Sequence, residues 1–282
     1  MLKKTRAVRT VKSTAFYAFL IIAAFIYFIP LFFMLFTSLK SPAELFSADA
    51  TLFSFPKKIM WENFPQAWQA GKLYIYMKNS ALITIIRVPI TLVIVSLSAY
   101  ALTRLQFKPA NLVFLIFLIG MMMPLQIFLV PLMIMIKKAK LFNTYWAVIV
   151  PYIALDIPLG VLVFRGFFRT IPLELDSSAK IDGCNSFMIY SRIIMPLSKP
   201  AIATMTILFS LNTWNEFLLA SLFIPKDKIR TLPLGLLSYV GEWTTDYPRF
   251  MAAVLMSIIP VFVVYLFFQR YFVQGLTGTL KE

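Results

Sequence analysis

Six long apolar runs constrain what this chain can fold into more than any other feature. Each run has the roughly 20 residues that an α-helix needs to cross the hydrocarbon core of a bilayer. The predicted spans are residues 14–36, 80–102, 110–135, 144–168, 199–222 and 250–271. With 60% hydrophobic and 14% charged residues, the chain lacks the polar surface of a water-soluble domain. We therefore expect an all-α, polytopic membrane protein with six transmembrane helices, the third of which could be two half-helices because of its stretch GMMMPLQIFLVPL.

The residue types that are missing exclude several kinds of function. The sequence has no histidine and one cysteine, Cys184, which rules out histidine catalysis, His-containing zinc sites and an intrachain disulfide. It also has no G-x-x-x-x-G-K-[ST] phosphate loop, so we expect no ATP hydrolysis by this chain. With no histidine and only scattered carboxylates inside the spans, we expect no catalytic residues and no metal site. The net charge of +15 would suggest nucleic acid in a soluble protein. Here the basic residues lie mostly between apolar runs, so anionic lipid headgroups explain them better than nucleic acid does.

The charge pattern also predicts how the chain is oriented. A cluster of basic residues precedes the first span: Lys3, Lys4, Arg6, Arg9 and Lys12. The positive-inside rule places this amino terminus in the cytoplasm, and six spans return the carboxyl terminus there too. The chain then divides into an amino-terminal tail, first span and outer loop (1–75), a membrane core (76–271) and a cytoplasmic tail (272–282). The outer segment contains WENFPQAW, which predicts a short interfacial helix.

The longest inner loop has the most specific local pattern. A helix is predicted from Pro172, and the turn-forming pair Asp182-Gly183 should end it. A second helix is predicted from about Asn185 to Met195, where the following proline disfavours helical backbone. Residues 172–196 should therefore fold as helix, sharp turn and helix, and project a short helix into the cytoplasm. The alternative is a plain turn between two helices that lie on the membrane surface.

This loop resembles the EAA loop of permease subunits of ABC importers, which has the form EAA-x-x-DG followed by I-x-x-P. Asp182-Gly183 matches the DG pair, Ala179 matches the second alanine, and Ile193 with Pro196 matches I-x-x-P. The loop departs from the pattern at two positions, where Ser177 and Ser178 replace Glu and Ala. The acidic residue Asp176 lies one position before them. We call residues 172–196 the coupling loop.

Further fragments extend the resemblance over most of the chain: FTSLKSPAELF, SAYALTRL, MMMPLQIFLVPL, WNEFLLA and TLPLGL. Together they resemble the maltose-permease-like subunit of a binding-protein-dependent, type I carbohydrate importer. The resemblance implies a bacterial inner-membrane permease subunit, not an enzyme, that forms half of a translocation path with a second related permease subunit. It also implies an ABC ATPase dimer that holds ATP and Mg, an extracytoplasmic sugar-binding protein, and no cofactor on this chain. The residues expected to couple to the ATPase are Glu174, Asp176, Ser177, Ser178, Ala179, Asp182 and Gly183.

Polar residues inside the spans are the candidates for the substrate path, because such residues are costly in a bilayer. They are Arg87, Asp156, Asn212, Asn215 and Glu216. Arg87 lies about seven residues from the outer end of the predicted second span. It either snorkels to the interface or faces a cavity and pairs with Asp156 or an acidic sugar. Asn212 and Glu216, one turn apart, should share a helix face, either for sugar or for interhelical hydrogen bonds.

Other functions remain open at this point. The chain could be a permease subunit for another solute, such as a glycerol phosphate, although the resemblance to the maltose type favours an oligosaccharide. A self-contained channel or secondary carrier is a further alternative, but a carrier needs its own ion-coupling groups and often internal repeats. Neither is visible in the sequence, and the projecting loop would then have no role.

Overall fold

The structure is a computed structural model that describes residues 2–47, 51, 54–105, 107–241 and 245–278. The helices in chain order are α1 (Leu2–Ser38), α2 (Pro42–Leu45), α3 (Asn63–Gln69), α4 (Leu73–Arg104), α5 (Ala110–Met122), α6 (Leu125–Lys138), α7 (Trp146–Thr170), α8 (Glu174–Ile181), α9 (Ser186–Ile189), α10 (Met195–Leu197), α11 (Lys199–Asn215), α12 (Leu218–Phe223), α13 (Leu232–Leu236) and α14 (Tyr247–Gly278). A π-helical turn, Tyr190–Ile194, joins α9 to α10. The side chains of the amino-terminal basic cluster and the end of the predicted tail lie outside the described residues.

The all-α, polytopic fold is confirmed. Within the described residues, four helical segments are long and apolar enough to cross a bilayer: Phe16–Ser38, Leu73–Arg104, Trp146–Thr170 and Tyr247–Phe267. Two bent pairs raise the number to six if each pair is one span: α5 with α6, and Ser186–Leu197 with α11.

The third span is broken at Pro124 into two half-helices. The axes of α5 and α6 differ by 100°. Met123 is extended, with φ −85° and ψ 126°, because the residue before a proline is disfavoured in the helical region. Pro124 also has no N–H to continue the helical hydrogen bonds. Each half is about 20 Å long, which is shorter than the roughly 30 Å hydrocarbon core.

One compact unit of the chain comprises residues 73–235 and 257–282. Its core is built on α4 and α7, which pack along much of their length. Gly160 makes their close approach possible, because a Cβ there would lie 2.6 Å from Cγ1 of Val95. Val95, Val161 and Phe164 are buried in the apolar cluster between these helices. This pair of helices positions both candidate sites described below.

Helix α4 begins at Leu73, seven residues before the predicted start of the second span at Ser80. The polar residues at this end bind a neighbouring segment of chain. Asn79 donates to the carbonyl oxygens of Lys228 at 3.0 Å and Arg230 at 2.9 Å. The hydroxyl of Ser80 accepts the N–H of Leu232 at 2.8 Å. Backbone groups therefore satisfy the hydrogen bonds of Asn79 and Ser80, two polar residues that would be costly in lipid. Helix α4 includes both of them.

The other compact unit comprises residues 1–72 and 236–256. Buried Asn63 at the start of α3 donates to the carbonyls of Ser38 at 2.8 Å and Lys40 at 3.0 Å, and so fixes the end of α1. The hydroxyl of Ser41 caps α2 by accepting the N–H of Glu44 at 3.2 Å. Helix α3 is the short helix that the sequence WENFPQAW predicts.

Candidate functional site

The turn of the coupling loop is a helix C-terminus closed by glycine. Gly183 has φ +81°, in the left-handed region that favours glycine. Its N–H donates to the carbonyl of Lys180 at 3.1 Å, and the N–H of Cys184 donates to that of Ala179 at 2.9 Å. These two bonds form a Schellman motif, which satisfies the last carbonyls of α8. Asn185 then caps α9 by accepting the N–H of Met188 at 2.9 Å.

Most of the predicted coupling residues are exposed around this turn. Glu174, Ser177, Ser178, Asp182 and Gly183 are on the surface. Two of the set, Asp176 and Ala179, instead face inward and are 7% and 5% exposed.

The surface next to the turn is unusually apolar. Ile181 is 87% exposed and Phe187 is 68% exposed. Exposed apolar side chains on a polar loop are typical of a protein interaction site. In this structure the exposed acidic side chains of the coupling loop are those of Glu174 and Asp182, whereas Asp176 is turned towards α4.

Three polar residues spaced four apart on α4 hold the coupling loop. Ser96, Tyr100 and Arg104 share one helix face, and we call them the α4 ladder. The hydroxyl oxygens of Ser96 and Tyr190 are 2.8 Å apart in a hydrogen bond. The hydroxyl of Tyr100 donates to the carbonyl of Ser186 at 2.9 Å. The second helix of the loop is therefore bound at two successive turns of α4.

Arg104 anchors the start of the coupling loop. Its Nη2 donates to the carbonyls of Phe168 and Ile171, both at 2.7 Å, and its side chain is 2% exposed. These carbonyls lie at the carboxyl end of α7, where backbone oxygens lack helical partners and a cation is favoured. Nη1 lies 3.7 Å from Oδ1 of Asp176 on α8. One buried guanidinium thus connects α4, α7 and α8.

Arg87 is buried between α4, α7 and α11 and does not reach the surface. It is 2% exposed and lies 14 residues into α4, or about 21 Å from its start, because the helix begins earlier than predicted. Its guanidinium forms an ion pair with Asp156. It also donates to the carbonyls of Phe209 at 2.8 Å and Tyr152 at 3.1 Å.

The guanidinium is further enclosed by aromatic rings and a hydroxyl. The rings of Tyr152 and Phe209 have centroids 5.6 and 5.5 Å from Cζ of Arg87, and the hydroxyl of Thr213 accepts another hydrogen bond. The sequence left two alternatives for Arg87, snorkelling to the interface or pairing inside the protein. In the structure Arg87 is paired with Asp156 and does not snorkel.

The fifth span is interrupted where the sequence predicts a continuous helix. Helix α11 ends at Asn215, and Glu216 is extended, with φ −74° and ψ 125°. The carboxylate of Glu216 accepts the N–H groups of Leu219 at 2.7 Å and Ala220 at 3.2 Å, and so caps α12. The expectation that Asn212 and Glu216 share a helix face was therefore wrong, because the side chain competes with the helical backbone for these donors.

Four of the five substrate-path candidates nevertheless meet at one small cavity. It has a volume of about 100 Å³ and includes Arg87, Asp156, Asn212 and Glu216 in its lining. The hydroxyl of Tyr152, also in the lining, donates to Glu216, which is the interhelical hydrogen bond that the sequence left as an alternative. Asn215 is exposed and does not line this cavity.

Comparisons with known proteins agree with this architecture. The family described as binding-protein-dependent transport system inner membrane component matches residues 91–278. The chain is 36% identical over 278 residues to the arabinooligosaccharides transport system permease protein AraQ of Halalkalibacterium halodurans, with 98% of each chain covered. It is 34% identical over 278 residues to the melibiose/raffinose/stachyose import permease protein MelC of Bacillus subtilis, covering 98% of this chain and 99% of MelC.

A solved structure shows the same fold. A chain of a bacterial ABC transporter involved in the import of the acidic polysaccharide alginate matches with a TM-score of 0.81 and 21% identity, over 93% of this chain and 96% of that chain. The resemblance to carbohydrate importer permeases is thus confirmed by sequence and by fold. The chain belongs to the family of binding-protein-dependent transport system inner membrane components.

Proposed function

We propose that this chain is the permease subunit of an ATP-driven importer for sugars, and that the coupling loop is its contact with the ATPase. The observation that carries the proposal is the combination of an exposed helix–glycine–helix tip with the α4 ladder. The tip presents Ile181 and Phe187 to a partner, while three polar residues fix its base to a long span. A channel or a secondary carrier has no need of such a loop.

The assembly that we propose has four kinds of component. This chain and a second related permease subunit form the translocation path, and an ABC ATPase dimer with ATP and Mg grips the coupling loop of each. An extracytoplasmic binding protein delivers the sugar; a bacterial alginate ABC transporter of similar fold has been solved in complex with an alginate pentasaccharide-bound periplasmic protein. Both termini and the coupling loop then face the cytoplasm, as the basic residues before the first span suggest.

The Arg87 cavity supports a neutral oligosaccharide as the substrate. The positive charge of Arg87 is paired with Asp156, and two backbone carbonyls and a hydroxyl accept its other hydrogen bonds. An acidic sugar would have to displace Asp156 from a buried pair, which is costly. Asn212 and Glu216 supply the uncharged and charged hydrogen-bonding groups that hydroxyls use.

The test combines copurification with an uptake assay. The tagged chain should copurify with a second permease and an ATPase, and a strain that lacks it should lose uptake of one neutral oligosaccharide. A chain that purifies alone and transports unaided would refute the proposal. Loss of uptake of a glycerol phosphate alone, with sugars unaffected, would replace the sugar by that solute.

A further inference from the structure

A basic pocket lies beside the coupling loop and has no role in the proposed transport step. It has a volume of about 410 Å³ and is formed by the end of α4, the following turn, the start of α5 and the end of α7. Four cations line it, with one amide beside them: Arg104, Lys108, Arg165, Arg169 and Asn111. None of its lining residues in the described part of the chain is acidic. We call this the basic pocket.

Arg165 is a buried cation of the basic pocket, and no acidic side chain among the described residues forms an ion pair with it. It is 5% exposed, its Nη2 donates to Oδ1 of Asn111 at 2.7 Å, and its Cζ lies 3.8 Å from the ring centroid of Phe114. Its buried Nε has no hydrogen-bond partner within the described residues. A buried cation without a counter-charge is costly, and a bound anion would remove that cost.

Arg104 contributes less to anion binding, because its guanidinium already has partners in the protein. The guanidinium of Arg104 donates to two carbonyls and pairs with Asp176, although its buried Nε has no hydrogen bond within the described residues. Lys108 and Arg169 are exposed at the rim. The pocket therefore has one buried guanidinium with two exposed cations around it, an arrangement suited to binding the oxygens of a phosphate group.

The location of the basic pocket indicates the source of the phosphate. It lies at the same end of α4 and α7 as the coupling loop, which is the cytoplasmic headgroup zone in the orientation that the proposed function gives. Leu105 and Phe107 beside it are 49% and 38% exposed, and offer an apolar surface for an acyl chain. Basic pockets between spans on this side of a membrane suit anionic lipid headgroups.

We propose that the basic pocket binds a phosphate group, and that an anionic phospholipid of the cytoplasmic leaflet supplies it. Arg165 holds the phosphate, and Lys108 and Arg169 close over it. Because Ile171 and Leu173 also line the pocket, the bound headgroup contacts the residue before the coupling loop and one of the loop's first residues. The inference depends on the proposed orientation, but not on which solute the chain transports.

The test measures binding of fluorescent phosphatidylglycerol to the full chain, purified with the subunits that accompany it, in nanodiscs of phosphatidylcholine. We expect Lys108→Gln and Arg169→Gln each to weaken binding about fivefold, as loss of one basic residue near a lipid surface does. Both residues are exposed, so their loss leaves the packed core intact. Arg165→Gln should weaken binding at least as much. The control is Lys138→Gln, which removes an exposed cation at the end of α6 and should leave binding unchanged.

Three results would count against the assignment. Equal affinity in wild type and all three pocket variants would overturn the proposal, as would an equal loss in the control. The lipid source would be overturned by two observations made together. Inorganic phosphate would bind the wild type but not Arg165→Gln in detergent without lipid, and the wild type would show no preference for phosphatidylglycerol in nanodiscs. The readout is binding and not uptake, so a failure here is distinct from a failure of the proposed transport function.

Discussion

Arg104 offers the sharpest test of how the coupling loop is held. Replacing it with glutamine removes a buried charge that donates two hydrogen bonds of 2.7 Å to the carbonyls of Phe168 and Ile171. A hydrogen bond from a charged group contributes roughly 1.5–3 kcal/mol, so the pair contributes about 3–6 kcal/mol to the free energy of opening this corner. Glutamine keeps one donor group, and Asp176 loses its cation, so we expect a loss of about 3 kcal/mol.

The assay is amide hydrogen exchange in α8 of the assembled protein, with uptake measured alongside. A loss of about 3 kcal/mol corresponds to exchange about 100-fold faster at residues 174–181. We expect uptake to fall while the ATPase still binds, because the exposed tip is unchanged. The matched control is Arg192→Gln, which removes an exposed cation from the same loop. Unchanged exchange in α8 after Arg104→Gln would refute the anchoring role.

Three further predictions concern Gly183, the buried ion pair and the contact of α4 with α7. Gly183→Pro should leave the chain in the membrane but abolish uptake, because proline fixes φ near −65° where the structure has +81°; wild-type uptake with stimulated ATPase would contradict this. Arg87→Met alone should lower the free energy of unfolding by about 3–5 kcal/mol, whereas adding Asp156→Leu should restore most of it in thermal melts. Gly160→Leu should cost at least about 1–3 kcal/mol by overpacking, whereas Gly166→Ala on the same helix, with open space at its Cβ, should slightly raise the melting temperature because alanine favours helix over glycine.

The sequence predicts best what local chemistry decides. The Asp182-Gly183 turn follows from the residues themselves, since few residues other than glycine adopt the positive φ that closes α8. The break at Pro124 is local in the same way. The sequence predicts that the second helix of the coupling loop ends before Pro196, but helical backbone continues to Leu197. Pro196 lies in the first turn of α10, directly after the π-helical turn, where a missing N–H needs no helical partner. The first helix begins at Glu174 rather than at Pro172.

The sequence predicts poorly what depends on distant partners. No residue near Glu216 is a typical helix terminator. The helix ends there because the carboxylate of Glu216 accepts the N–H groups of Leu219 and Ala220 in the next turn. The α4 ladder was also missed, since Arg104 reads as an ordinary cation at the end of a span. The available signal is a polar residue at every fourth position of an apolar helix, but the partners at Tyr190 and Ser186 lie far along the chain.

Helix α4 connects the two candidate sites, and its one internal proline lies between them. The α4 ladder is on the carboxyl-terminal side of Pro89, while Arg87, with its ion pair, is on the amino-terminal side. Proline donates no hydrogen bond to the preceding turn, so the helix is weakest at this point. The segment from residue 90 to Arg104 is about 22 Å of regular helix bound at three turns to the coupling loop. We therefore expect a displacement of the loop to move this segment as one body, and the movement to be taken up at Pro89, next to the cavity that contains Arg87 and the other candidate substrate-path residues.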